Sequence, residues 1–96
     1  MHLGSRNLTS GDSRRCVVDY LGFLQPGEKL ILPVVTVPAG TVSSIGAVLL
    51  DVDDDQMFFF VNGGTLLGEA FTASVQVSTT FNQEINDTIA FTIVAP

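Results

Sequence analysis

Apolar and polar residues alternate most regularly between positions 71 and 78. Phe71, Ala73, Val75 and Val77 fall on one side, and Thr72, Ser74, Gln76 and Ser78 on the other. Successive strand side chains point to opposite faces, so this stretch predicts an antiparallel strand with one buried face. The same period returns near the end, where Ile89, Phe91 and Ile93 alternate with Thr88, Ala90 and Thr92. Further strands are predicted in the β-branched and aromatic runs at 16–20, 29–37, 42–52 and 57–61, and no segment carries a helical period.

Turn chemistry separates these runs. Pro26-Gly27 presets one turn, and Phe23 and Leu24 are expected to tuck under it and plug one end of the core. Pro38-Ala39-Gly40, Asp53-Asp54-Asp55-Gln56 and Asn62-Gly63-Gly64-Thr65 read as three more turns, and 82–87 as a polar hairpin connection. Pro33 cannot donate to a ladder, which puts its strand at an edge or at a bulge, and Gly46 is expected to interrupt the strand that contains it. About seven short strands with turns every roughly 8–12 residues predict an all-β antiparallel sandwich. Residues 1–13, rich in Ser, Gly, Asn and Asp without periodicity, read as a flexible N-terminal arm ahead of a single domain at 14–96.

Composition narrows the function classes. Hydrophobic residues make up 46% of the chain, which predicts a folded, soluble domain with more apolar surface than a small core absorbs. No apolar run approaches the roughly 18–20 residues of a membrane helix, and no membrane role is expected. The formal charge is −6, and all four cations (Arg6, Arg14, Arg15 and Lys29) lie in the first third. Phosphate binding needs clustered cations, so no nucleic-acid partner is expected. The lone Cys16 excludes an internal disulfide and reads as a small buried hydrophobe, which fits assembly in a reducing cytoplasm. The first residues lack the apolar stretch of a signal peptide, so the matches to the glycosylation pattern at Asn7 and Asn86 carry no weight.

Catalytic and cofactor chemistry finds little footing. Asp51, Asp53 and Asp55 invite a calcium reading, but Gln56 stands where the loop needs glycine and Asn62 where it needs glutamate, leaving a solvated acidic turn. Gly63-Gly64 lacks the Gly-Lys-Ser/Thr and the helix of a phosphate loop, and reads as a backbone turn. Glu28, Glu69 and Glu84 sit in or beside turns, where exposure is expected rather than a buried acid–base pair. The only histidine, His2, lies in the arm, so Cys16, Ser43 and Ser44 are expected to lack a partner base. No enzyme activity and no cofactor are expected.

The order of turns carries a family resemblance. Asp19-Tyr20 precedes Phe23-Leu24-Gln25-Pro26-Gly27-Glu28, then come Val37-Pro38-Ala39-Gly40, Gly63-Gly64-Thr65-Leu66-Leu67-Gly68 before Phe71, and a closing alternating strand from Asn86 to Val94. Over about residues 16–94 this resembles small tailed-phage virion proteins described as fiber–tail adaptors. The chain departs from that pattern at Phe23, where tryptophan is frequent, after Val37-Pro38, which lacks a common aromatic, and in the unusually apolar stretch 57–61. The resemblance implies an immunoglobulin-like domain made in the host cytoplasm and built into the virion as repeated, symmetric copies. Its expected partners are other virion proteins of the tail, neck, fiber or capsid.

The leading expectation is a connector that attaches a fiber or other appendage to the tail or neck. A capsid decoration protein is the alternative, followed by a cell-surface adhesin-like domain, which the absence of Trp disfavours. The candidate contact residues are Phe58, Phe59 and Phe60, together with Ile31 and Val35 of the long apolar second strand. Phe58 and Phe60 share one strand face and Phe59 takes the other, so one face is expected to fill the core and the other to anchor an interface.

Overall fold

The alternating stretches become strands. A computed structural model describes Met1–Pro96, with β1 (His2–Thr9), β2 (Ser13–Asp19), β3 (Leu30–Thr36), β4 (Ser44–Leu50), β5 (Gln56–Asn62), β6 (Ala70–Thr79) and β7 (Glu84–Val94), and no helix. One sheet has the order β1-β7-β6-β3 and the other β2-β5-β4. Every neighbouring pair is antiparallel except β1 with β7, which runs parallel. The two sheets enclose a core fed by Phe71, Ala73, Val75 and Val77 of β6, the alternating apolar residues of β7, Met57, Phe59 and Val61 of β5, and Cys16 and Val18 of β2. The paired Phe71 and Phe91 rings stack with centroids 5.5 Å apart. The grouping of β3, β6 and β7 against β2, β5 and β4 fits the immunoglobulin-like arrangement.

The irregular points of the sequence lie at sheet edges. β3 is an edge strand whose register shifts between Ile31 and Val34, around Pro33, and β4 shifts between Ile45 and Val48, around Gly46. At the bulge in β3, Leu32 adopts φ 54° and turns into solvent. In the Pro26-Gly27 turn Glu28 N–H donates to Gln25 C=O at 2.9 Å, with Gly27 at φ 81°, the left-handed conformation that a side chain disfavours.

Several expectations need correction. Residues 2–9 are not a free arm: β1 lies on β7, with Ser5 through Thr9 paired to Ala90 through Val94. Leu8 is its only buried residue, so main-chain bonding rather than an apolar stripe holds it, and no period marks it in the sequence. The hairpin connection is shorter than 82–87, because β7 already begins at Glu84 and buries both Ile85 and Asp87. Leu24 packs against the core, whereas Phe23 is exposed.

Gly63 and Gly64 do not form the expected turn. They follow β5 where the chain passes other backbone closely: a Cβ on Gly63 would stand 2.9 Å from the Thr9 carbonyl oxygen, and one on Gly64 2.6 Å from Val42 Cγ1. Of the glutamates, Glu84 is exposed, but Glu28 is buried. Its carboxylate accepts from the Thr79 hydroxyl and the Gln25 N–H. Satisfied by these donors, it closes the β2–β3 connection over the end of β6.

The loops at this end interlock. Tyr20 N–H donates to Asp55 C=O at 3.0 Å, Leu30 N–H to Asp54 C=O at 2.8 Å, and Thr80 N–H to Lys29 C=O at 2.9 Å. The connections β2–β3, β4–β5 and β6–β7 therefore form one hydrogen-bonded end of the sandwich.

Candidate interaction surface

The outer face of the β2-β5-β4 sheet carries a continuous apolar row. Register places Val17 of β2, Phe58 of β5 and Leu49 of β4 side by side in one row across the sheet. Val17 is 41% and Leu49 47% exposed, with Phe58 half-buried between them. Arg15 pairs with Phe60 in the next row and carries its guanidinium over the Phe58 ring, 5.9 Å from the centroid. A cation over a ring face interacts with the ring quadrupole and shields part of the aromatic surface. Gly46 backs Phe60 closely, since a Cβ there would lie 3.3 Å from Phe60 Cβ.

Polar rows bound this apolar strip. At one end Ser13 Oγ donates to Asn62 Oδ1 at 2.7 Å, and Asn62 Nδ2 donates to Ser44 Oγ at 3.4 Å. At the other end Asp19 pairs with Gln56. An apolar centre within a polar frame is the anatomy of a protein contact surface. By contrast, β6 and β7 turn Thr72, Ser74, Gln76, Asn86, Thr88 and Thr92 outward from the other sheet. That sheet also exposes Ile31, Leu32 and Val34, but only along its β3 edge, whereas the β2-β5-β4 sheet carries an apolar row across all three of its strands.

The sequence-predicted contact residues do not converge. Phe58 and Phe60 lie on the outer face just described, while Phe59 is fully buried in the core. Ile31 and Val35 belong to β3 of the opposite sheet: Ile31 points to solvent beside the bulge, and Val35 packs partly against the core opposite Val75. Val17 and Leu49 were missed. In isolation each sits in a strand with other apolar residues, and only pairing through β5 puts them in one row with Phe58.

Charge is also organised by the fold. Arg6 of β1 and Arg14 and Arg15 of β2 line one lateral groove between the two sheets, with Arg14 paired to Asp12 at 3.2 Å. Cys16 is buried beside this groove. Burial pushes its thiol up, and the nearby Arg6 charge opposes the shift only in part. In the acidic turn, Asp51 is the organising carboxylate: its Oδ1 accepts the N–H of Asp55 at 3.1 Å and of Gln56 at 3.2 Å. Desolvation works against ionisation of Asp51, but these N–H donors outweigh it and hold the carboxyl low. Desolvation and then the Asp51 charge push Asp55 up. The turn is thus tied together by its own backbone.

Glu69 performs a similar task at the far end of the sandwich. Its carboxylate accepts the N–H groups of Val42 and Ser43 at 2.7 and 3.1 Å and the Ser43 hydroxyl at 2.8 Å. The Val42 bond and then the Ser43 hydroxyl hold its carboxyl below the usual range. His2 is exposed, with Nδ1 3.0 Å from Thr88 Oγ1 on the outer side of β7. The Asp51 and Glu69 carboxylates serve the backbone, and the apolar row on β2, β5 and β4 has no such internal role. No protein-family model matches this sequence, and no similar curated protein is found.

Proposed function

We propose that the protein is a non-catalytic binding module, used in repeated copies as a connector between a tailed-phage tail or neck and an attached fiber or other appendage. The observation that carries the binding part is the Val17–Phe58–Leu49 row, which crosses all three strands of one sheet, while β6 and β7 at the centre of the other present Thr, Ser, Asn and Gln. Burying such a row against a partner removes apolar surface from water at about 25 cal/mol per Å². Association costs leave a modest surplus at any single site, so symmetric repetition supplies avidity. The virion placement rests on the order of turn motifs from Asp19 to Val94.

The deciding experiment is quantitative mass spectrometry of purified particles, with copies counted against the major capsid protein. A few to a few tens of copies per particle is the expected result. Hundreds in fixed ratio to the shell subunit would replace the connector by a decoration protein, and absence from particles would remove the virion reading. Phe58→Ser tests the surface itself: incorporation into particles is expected to fall while the isolated protein stays folded.

A further inference from the structure

β2 is the one free sheet edge that runs without interruption. Of the other edge strands, β1 shifts register between His2 and Ser5, β3 between Ile31 and Val34, and β4 between Ile45 and Val48. β2 pairs with β5 at every residue from Ser13 to Asp19 with no shift. A regular free edge is a template for another strand, and bulges or prolines are the usual means of blunting it. What β2 has instead is charge, and the placement of that charge selects a partner.

In an antiparallel ladder each residue aims its N–H and C=O at the same neighbour, and consecutive residues alternate sides. Just past β2, Tyr20 N–H donates to Asp55 C=O. Just before it, Asp12 C=O accepts the Gly63 N–H at 2.8 Å. Even-numbered positions therefore face β5, and the main-chain groups of Ser13, Arg15, Val17 and Asp19 face the open edge. The side chains of these four lie on the outer face of the sheet, where Arg15 and Asp19 flank Val17 two residues to either side.

We propose that β2 pairs antiparallel with β2 of a second copy about a two-fold axis at Val17, which joins the two three-stranded sheets into one of six. In this register Val17 meets Val17, and Arg15 of each copy stands directly opposite Asp19 of the other, giving two ion pairs related by the axis. An axis at Arg15 would oppose two guanidiniums, and one at Asp19 two carboxylates. An axis at Cys16 or Val18 would leave Arg15 and Asp19 unmatched. Both members of each main-chain pair are then positions whose N–H and C=O already point outward. The two Val17–Phe58–Leu49 rows also line up end to end as one apolar strip. The use of that strip rests on the protein-binding function proposed above, whereas the pairing stands on the edge itself.

Sedimentation equilibrium of the purified chain from about 1 μM to 1 mM tests the pairing across the range of weak to moderate affinities. A dimer is expected. Arg15→Glu and Asp19→Arg should each weaken it by about tenfold or more, because each sets like charges opposite one another at both ends. The double variant R15E/D19R should recover the wild-type affinity, since the reversed charges meet again across the axis. Val17→Pro removes an outward N–H that makes no bond within the chain, and should give a folded monomer by circular dichroism.

Hydrogen exchange at the Arg15, Val17 and Asp19 amides should slow as protein concentration rises. A chain that stays monomeric throughout the range overturns the pairing, as does a dimer indifferent to Val17→Pro or a double variant that fails to recover. These readouts use the isolated protein, so their failure is distinct from absence of the protein in virus particles.

Discussion

The hydroxyl of Tyr20 donates to Asp87 Oδ2 at 2.7 Å and ties the end of β2 to β7 in the facing sheet. Both residues are buried, and the second carboxylate oxygen of Asp87 lies 3.1 Å from the Met1 ammonium. A carboxylate would otherwise be a poor occupant of an inward position of β7, and the phenol makes it tolerable. Tyr20→Phe should therefore cost about 1.5–3 kcal/mol, the range for a hydrogen bond to a charged group, measured by urea unfolding near neutral pH.

The same bond sets an alkaline limit. Burial, then the Asp87 carboxylate, push the Tyr20 phenol well above its ordinary value of 10.0. The folded chain holds this proton after the unfolded chain has released it, so the contribution is complete below the ordinary phenol value and is lost as pH rises beyond it. Wild-type stability should decline above pH 10, and the decline should be shallower in Tyr20→Phe.

Glu69 predicts an effect at the acid end. Its carboxyl is held below the ordinary 4.5 by the Val42 and Ser43 donors, so its contribution is present above that value and is lost as pH falls through the folded titration. Glu69→Ala should lower the melting temperature at neutral pH, and the difference from wild type should close on acidification. Thermal unfolding of both proteins across pH 2 to 7 checks the convergence.

Gly63 is required for space. An added methyl would press on the Thr9 carbonyl at 2.9 Å and on Leu8 at 3.2 Å, and would lever β1 away from the end of β5. Gly63→Ala should cost about 1–3 kcal/mol by chemical denaturation. Gly22, with nothing within 4 Å of its would-be Cβ and no positive φ, is the control, and Gly22→Ala should be neutral or slightly stabilising.

The neighbouring phenylalanines of β5 should respond oppositely. Phe59 is fully buried, and Phe59→Ala should cost about 3–5 kcal/mol in equilibrium unfolding. Phe58 is half-buried on the outer face, so Phe58→Ser should cost far less and should instead impair binding. Equal losses of stability would mean that Phe58 belongs to the core and would withdraw the proposed surface.

By itself the sequence determined the strands whose faces differ in polarity. Period two at 71–78 and 89–93 became β6 and the second half of β7, Pro33 and Gly46 marked bulges, and Pro26-Gly27 marked its turn. These are local properties, set by side-chain alternation and by the φ that proline and glycine allow. The candidate surface was legible only in part, because alternation placed Phe58 and Phe60 opposite Phe59 without saying which face met water. Tertiary structure decided what depended on a distant partner. β1 buries one side chain and exists because β7 offers a free ladder, Asp87 is tolerated inside because Tyr20 reaches it, and Gly63 passes close to Thr9. Val17, Phe58 and Leu49 form a row only through cross-strand register. Such relationships are fixed by pairing between residues far apart in the chain, and no local period records them.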